Sequence, residues 1–125
     1  MKKTIWITGG STGIGKALAI KFANEGWNVA ISARRENLLK ELSEKFENIY
    51  DFSLDVTNKN DCKIIFGQIL EKFGGVDICF FSTGTWDPKK EKDIDVEQIE
   101  NVFRVNFFGT VNSIKACLLY TSPSP

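Results

Sequence analysis

The stretch that decides the fold is TIWITGGSTGIG, residues 4–15. Residues 4–8 are β-branched and aromatic, which favours a buried strand, and two glycines end it. Apolar residues then recur at helical spacing over residues 13–25, and Gly26 is a suitable helix stop. Glycines between a strand and a helix let the backbone approach a ligand closely, and the helix start offers free N–H groups to a phosphate. We therefore predict an anion-binding turn at residues 8–15.

The same alternation continues along the chain. Strands are predicted at residues 28–33, 49–54 and 76–82, with helices between them and after the last one. Alternating strands and helices predict an α/β fold with a parallel sheet and right-handed crossovers. Four strands in β-α-β-α-β-α-β-α order form the N-terminal half of a Rossmann-type, doubly wound sheet, which needs about six strands. We therefore expect an incomplete domain over residues 1–118, followed by an irregular tail, non-native or naturally disordered, at residues 119–125.

Two of the predicted helices carry clear apolar patterns. The third helix is predicted to begin after Thr57 as its N-cap and to bury Cys62, Ile65, Phe66, Ile69, Leu70 and Phe73. The fourth is predicted as one long helix over residues 96–118, in which Gly109 is a weak point. Its predicted inner stripe consists of Ile99, Val102, Phe103, Phe107, Val111 and Ile114. The charged residues 87–95 between strand and helix are interpreted as a solvated loop.

Composition excludes several classes of function. The 125 residues carry a net charge of zero and no histidine. A neutral chain has no field to hold a nucleic acid or an anionic membrane, and without histidine there is no Ser-His-Asp triad and no HExxH zinc site. The three cysteines have no CxxC spacing, which favours buried thiols in a reducing compartment. With no apolar run of membrane-spanning length, the sequence predicts a cytoplasmic protein.

The glycine spacing indicates the kind of nucleotide. Residues 10–16 read GxxxxGK, but Ala17 follows where a P-loop needs a hydroxyl on magnesium, so an NTPase is the less favoured reading. The spacing also differs from the G-x-G-x-x-G of classical dehydrogenases. The pattern TGxxxGIG over residues 8–15 resembles the short-chain dehydrogenase/reductase family.

The resemblance extends from Lys3 to about Cys117. It implies that the turn binds a dinucleotide through Thr8, Gly9, Ser11, Thr12, Gly13, Ile14 and Gly15. It also implies that Asp55 and Val56 contact the adenine. Residues 81–84 read FSTG where the family usually has Asn-Asn-Ala-Gly, so only Gly84, a close approach to the cofactor, is retained. Residues 105–109 read VNFFG, similar to the family's Val-Asn-x-x-Gly, which makes Asn106 a member of the catalytic tetrad that holds a water of the proton relay.

The residues at the end of the second predicted strand indicate whether the cofactor is NAD or NADP. A carboxylate there would hold the ribose 2′-OH of NAD, whereas NADP needs a cation for its 2′-phosphate. Ala33 occupies the acidic position, and Arg34 and Arg35 follow it. This arrangement resembles NADP-preferring members, with Ser11 as a further hydroxyl partner of the phosphate. NADP(H) is therefore preferred and NAD(H) possible; the alternative is that the two arginines only begin the next helix.

The family's proton donor is a Tyr with a Lys four residues later, preceded by a Ser. Here Leu54 follows Tyr50 and Ser124 follows Tyr120 at that distance, so neither tyrosine fits. The resemblance implies hydride transfer to or from a small carbonyl or alcohol substrate in a protein that is a homo-oligomer at full length, with this chain alone inactive. An inert dinucleotide-binding sensor or scaffold is the alternative.

Overall fold

The structure, a computed structural model, describes residues 2–10, 13–82 and 96–121. Its centre is a parallel sheet of four strands in the order β3-β2-β1-β4. The strands are β1 (Thr4–Thr8), β2 (Asn28–Ser32), β3 (Ile49–Asp51) and β4 (Ile78–Phe81). This order and the helical crossovers confirm the predicted Rossmann-type arrangement.

Helices follow every strand. They are α1 (Gly13–Asn24), α2 (Glu36–Lys45), α3 (Lys59–Phe73), α4 (Val96–Phe103) and α5 (Gly109–Thr121). Helix α3 ends at Gly74, which has the left-handed φ of 79° and donates its backbone N–H to the Leu70 carbonyl at 2.7 Å. Helix α1 ends at Asn24, one residue earlier than predicted, and Gly26 after it also has a positive φ, of 87°.

The helices cover the two faces of the sheet in separate apolar layers. On one face, α1 and α2 pack on Ile5, Ile7, Val29 and Ile31. On the other, α3 and α5 pack around Trp6, whose ring lies 5.2 Å from that of Phe66 between centroids. All residues of β1 are buried, since both layers cover it. Because the strands are parallel, the loops that follow β1, β2 and β3 all lie at the edge of the sheet formed by the carboxyl ends of the strands.

The second, third and fourth strands are shorter than predicted, but extended pairing continues beyond β3 and β4. After β3, the Leu54 N–H donates to the Ala33 carbonyl at 3.0 Å. On either side of β4, Asp77 donates to the Thr4 carbonyl at 2.8 Å and Ser82 to the Thr8 carbonyl at 2.9 Å. The predicted extended segments therefore hold, although only their centres form regular ladders.

The N-cap predicted for α3 is wrong by one residue. Asn58, not Thr57, caps the helix, and its Oδ1 accepts from the Asp61 N–H at 3.0 Å. The Thr57 hydroxyl instead donates to Asp55 Oδ1 at 2.6 Å. An N-cap side chain accepts a hydrogen bond from a backbone N–H of the first turn, and Asn58 rather than Thr57 supplies that acceptor here.

The fourth predicted helix is wrong in two respects. It is interrupted by a π-helical segment, Arg104–Phe108, and α5 extends to Thr121, beyond the predicted end. The predicted inner stripe is also exposed in its second half: Phe107 is 56% exposed, Val111 43% and Ile114 41%. An extra residue in a π-helical segment rotates the following helix, so the periodicity before it does not continue after it.

The remaining predictions concern the cysteines, membrane-spanning helices, and the loop and tail. Cys62 and Cys117 are buried and Cys79 is half-buried, and none of these described cysteines forms a disulfide. Within the described residues, no helix combines the length and apolarity that crossing a bilayer requires. The loop at residues 87–95 and the tail from residue 122 lie outside the described residues.

Candidate dinucleotide-binding site

The glycine turn after β1 is held by the end of β2. The backbone N–H groups of Gly9 and Gly10 both donate to the Ser32 carbonyl, at 2.7 and 3.3 Å. The Ser32 side chain is fixed in turn, because Trp6 Nε1 donates to its Oγ at 3.0 Å inside the core. Ser32 was missed in the sequence; its register opposite Thr8, the last residue of β1, was the signal that could have identified it.

Gly15 joins the helix start to the turn. A Cβ there would overlap the carbonyl oxygen of Gly9 and come within 2.9 Å of its carbonyl carbon. No side chain fits in that space, so Gly15 allows α1 to pack directly on the turn. Its role is contact within the protein.

Gly13 differs from Gly15, because the space beside its Cα is open. Its φ is +60°, and a Cβ built there would meet no described atom within 4 Å. The next side chain, Ile14, is 73% exposed. Open space lies beside the first N–H groups of α1, which have no partner within the helix. This is the shape that a phosphate needs at a helix start.

Thr8 lies beneath the turn and is fully buried. Its hydroxyl oxygen has no hydrogen-bond partner among the residues that the structure describes. The side chain has no surface for a ligand, so a contact from Thr8 would be through its backbone. Ser11, Thr12 and Gly84 lie outside the described residues.

Two arginines follow β2 at the same edge of the sheet. Arg34 is exposed, and Arg35 stands at the N-cap position of α2 with an extended backbone and no hydrogen bond from its side chain to the helix. The chain after β3 lies next to this segment through the hydrogen bond from Leu54 to Ala33. Arg34 is close enough to Asp55 to help lower the pKa of its carboxyl group.

Asp55 begins a turn that several hydrogen bonds define. Its Oδ1 accepts from the Thr57 hydroxyl at 2.6 Å and from the Thr57 N–H at 3.0 Å. Its own N–H donates to Asp61 Oδ2 at 3.2 Å, and its carbonyl accepts from the Asn58 N–H at 3.0 Å. The bond from Thr57 is the main reason that the pKa of Asp55 lies below its usual value, with charges on Arg34 and Arg104 adding to it. The carboxylate is thus ionised and fixed in direction.

Helix α5 packs on this turn from the other side. A Cβ at Gly109 would lie 2.5 Å from Val56 Cγ2, so only glycine permits the contact. Asn112 Nδ2 donates to the Val56 carbonyl at 3.0 Å. Asn106 belongs to the π-helical segment Arg104–Phe108 just before α5, and its side chain lies outside the described part of the chain.

The described residues bear on two chemical questions, whether the site could hold a metal ion and what role Tyr50 has. They contain no cluster of three His, Cys, Asp or Glu side chains that could hold a metal ion. Tyr50 packs on Phe73 with ring centroids 5.0 Å apart, and Lys72 Nζ lies 4.9 Å from its ring centre. These contacts give Tyr50 a packing role.

A family model described as short chain dehydrogenase matches residues 3–122. The chain belongs to the short-chain dehydrogenase/reductase family. The resemblance stated from the TGxxxGIG, Asp-Val and VNFFG motifs is therefore confirmed at the level of the family.

Relatives in the short-chain dehydrogenase/reductase family include glucose 1-dehydrogenase of Gluconobacter oxydans, 30% identical over 123 residues, which covers 94% of this chain and 46% of that protein. Diacetyl reductase [(S)-acetoin forming] of Staphylococcus epidermidis is 32% identical over 120 residues, covering 93% and 47%. The structure of ElxO with NADP bound superposes with a TM-score of 0.84 at 30% identity, covering 96% of this chain and 50% of that one. The chain spans about half the length of these relatives.

Proposed function

We propose that this chain is the dinucleotide-binding half of an NADP(H)-dependent oxidoreductase that transfers hydride to or from a carbonyl or alcohol substrate. One observation carries the proposal: the open Gly13 position lies at the start of α1, at the sheet edge where Arg34 and Asp55 also lie. An open helix start, a cation and a fixed carboxylate suit the pyrophosphate, the 2′-phosphate and the adenine of one ligand. The NADP complex of ElxO, whose fold this chain shares, supports the proposal that the ligand is NADP(H).

The residues present fit a dinucleotide at each of these points. The N–H groups at the start of α1 and its dipole favour a negative group, and Gly13 leaves room for it. Gly15 and the Ser32 carbonyl keep the turn in its shape, so the N–H groups need no rearrangement on binding. A site that is already formed loses less entropy when it binds its ligand.

Arg34 is proposed to bind the 2′-phosphate of NADP(H). A guanidinium can make two parallel hydrogen bonds to phosphate, which gives both energy and direction. Arg34 and Arg35 are both exposed and so can reach a ligand. Arg35 stands at the N-cap position of α2, and Arg34 is proposed as the main contact of the phosphate. Ser11, which precedes the helix in the sequence, is proposed as a hydroxyl partner of the same phosphate.

Asp55 and Val56 are the proposed contacts of the adenine. The carboxylate, ionised and fixed by Thr57, is an acceptor for an exocyclic amino group. The backbone N–H of Val56, in the same turn, is the proposed donor to a ring nitrogen of the adenine. A donor and an acceptor side by side distinguish adenine from a ring without that pattern.

The bound nicotinamide would supply or accept the hydride. Asn106, in the segment before α5, is proposed to hold a water of the proton relay. An alkoxide formed by hydride transfer must take a proton, and none of the 125 residues forms the Tyr-x-x-x-Lys pair that donates it in this family. Binding and turnover are therefore separate properties of this chain.

A second candidate is a dinucleotide-binding module without turnover. Both candidates predict NADP binding. They differ in a protein of the full family length, where only the oxidoreductase would carry a Ser and a Tyr-x-x-x-Lys pair and would oxidise NADPH with a panel of ketones and aldehydes.

The experiment that tests the cofactor assignment is Arg34→Ala, with Arg35→Ala as the matched control. Hydrogen bonds to charged groups contribute about 1.5 to 3 kcal/mol each, so Arg34→Ala is expected to weaken NADP binding roughly 10- to 100-fold and leave NAD binding almost unchanged. Arg35→Ala is expected to weaken NADP binding less than Arg34→Ala does and to leave NAD binding almost unchanged. Calorimetry measures all four affinities. Equal loss for both cofactors in Arg34→Ala would contradict the assignment.

A further inference from the structure

Asn112 is a polar side chain in a place where the helix packs on the core. It is only 8% exposed, and its Nδ2 donates to the Val56 carbonyl at 3.0 Å. Removing an amide from water costs free energy unless it is hydrogen-bonded, and an apolar side chain would fill the same volume without that cost. The bond to Val56 is the feature that offsets the cost.

That bond continues through one peptide group to the carboxylate of Asp55. The Val56 carbonyl and the Thr57 N–H belong to the same planar peptide unit. Asn112 holds the carbonyl at one end, and Asp55 Oδ1 accepts from the N–H at the other end at 3.0 Å. Hydrogen bonds in such a chain polarise and strengthen one another. One of the two hydrogen bonds from Thr57 to the Asp55 carboxylate therefore comes from a peptide group whose carbonyl is held by helix α5.

Other contacts of this peptide are weaker or act elsewhere. Cys62 Sγ approaches the Val56 carbonyl at 3.6 Å, and burial raises the pKa of this thiol to about 11, so it is a neutral and weak donor. Gly109 fixes how near α5 comes to the Val56 side chain, but it gives the peptide plane no direction. Asn112 makes the strongest described hydrogen bond to this carbonyl.

We propose that Asn112 is a positioning residue for the adenine end of the dinucleotide, acting through the Val56–Thr57 peptide on Asp55. The inference rests on the proposed function for its ligand, but the link from Asn112 to Asp55 stands on the geometry alone. It also ties the adenine turn to the helix that follows the Asn106 segment, so that one element supports both ends of the site.

The test compares Asn112→Leu, which keeps the volume and removes the donor, with Ser113→Ala. Ser113 is a buried neighbour in α5 whose hydroxyl donates to the Gly109 carbonyl at 2.9 Å within the helix. It also bonds to the Cys62 thiol, so Ser113→Ala removes the weaker, indirect contact with the Val56 carbonyl and leaves the bond from Asn112 in place. Asn112→Ala serves as a second variant should leucine prevent folding. The probes are 2′,5′-ADP binding by calorimetry and the titration of the Asp55 carboxyl by NMR, both on the full chain.

Asn112→Leu is expected to weaken 2′,5′-ADP binding roughly three- to tenfold, since one hydrogen bond no longer orders the turn. The pKa of Asp55 is expected to rise only part of the way toward its usual value, because the bond from the Thr57 hydroxyl, the main cause of the lowered pKa, remains while the Thr57 N–H is no longer held against the carboxylate. Ser113→Ala is expected to change neither quantity, which separates positioning from a general loss of stability.

Unchanged 2′,5′-ADP affinity and an unchanged Asp55 pKa in both Asn112 variants would overturn the inference. Failure of the parent chain to bind any adenine nucleotide would instead overturn the proposed function. The NMR titration still tests the link from Asn112 to Asp55 in that case, so the two failures are distinguishable.

Discussion

Helices α3 and α5 pack beside each other on the same face of the sheet, but through different kinds of side chain. The buried residues of α3 are mostly large and apolar: Cys62, Ile65, Phe66 and Ile69. Over residues 109–118 of α5, where the structure describes the side chains, the buried residues are small or polar: Gly109, Asn112, Ser113, Ala116 and Cys117. Among the α5 side chains that the structure describes, the large apolar residues Val111, Ile114 and Leu118 are exposed.

The difference shows two ways in which a helix can pack on a sheet. Large side chains hold α3 to the sheet around Trp6 by burying apolar area. Small residues let α5 approach the Val56 turn closely, and the side chain amide of Asn112 then holds that turn. Helix α3 contributes chiefly to stability, whereas α5 also shapes the candidate site.

The largest expected effect on this comparison comes from Phe66→Ala in α3. Phe66 is fully buried against Trp6, and removal of such a ring costs about 3 to 5 kcal/mol of unfolding free energy. Urea denaturation followed by circular dichroism measures the loss. A loss below about 1 kcal/mol would show that α3 is not held in the way described.

Gly109→Ala tests the close approach of α5. The new Cβ would lie 2.5 Å from Val56 Cγ2, and overpacking of this kind costs about 1 to 3 kcal/mol. Gly75→Ala is the matched control, because a Cβ there meets no described atom within 4 Å. Equal urea midpoints for the two variants would contradict the close contact between α5 and Val56.

Ile114→Ser gives the smallest expected effect and bears on the corrected face of α5. Ile114 is 41% exposed, so the change is expected to alter the unfolding free energy by less than about 0.5 kcal/mol. If Ile114 belonged to the inner stripe predicted from the sequence, the same change would cost more than about 2 kcal/mol. Thermal unfolding of the 125-residue chain distinguishes the two.

The sequence predicts well wherever local chemistry alone decides the structure. Strand β1 was predicted at its observed bounds because a β-branched, aromatic run ends at two glycines. Four of the six residues predicted for the inner face of α3 are buried and Leu70 and Phe73 are half-buried, since nothing interrupts the helical period. The glycine spacing and the Asp55-Val56 pair were sufficient to identify the family.

The sequence predicts poorly where a distant contact decides. The period of the last helix is lost at Arg104–Phe108, and Gly109 and Asn112 take their roles from Val56, which is more than fifty residues away in the chain. The N-cap of α3 depended on whether Thr57 bonds to the helix or to Asp55. Local propensity carries no information on such choices.

The central claim is that the turn after β1 binds a dinucleotide at the open Gly13 position. The most direct measurement is NADP binding by calorimetry to Gly13→Val and Gly26→Val in the full chain. Both glycines have positive φ, +60° and +87°, and a Cβ at either meets no described atom within 4 Å, so the backbone strain is alike. They stand at opposite ends of α1. We expect Gly13→Val to abolish binding, because its side chain fills the space of the phosphate, and Gly26→Val to bind as the parent does. Equal affinity in Gly13→Val and the parent would contradict the claim.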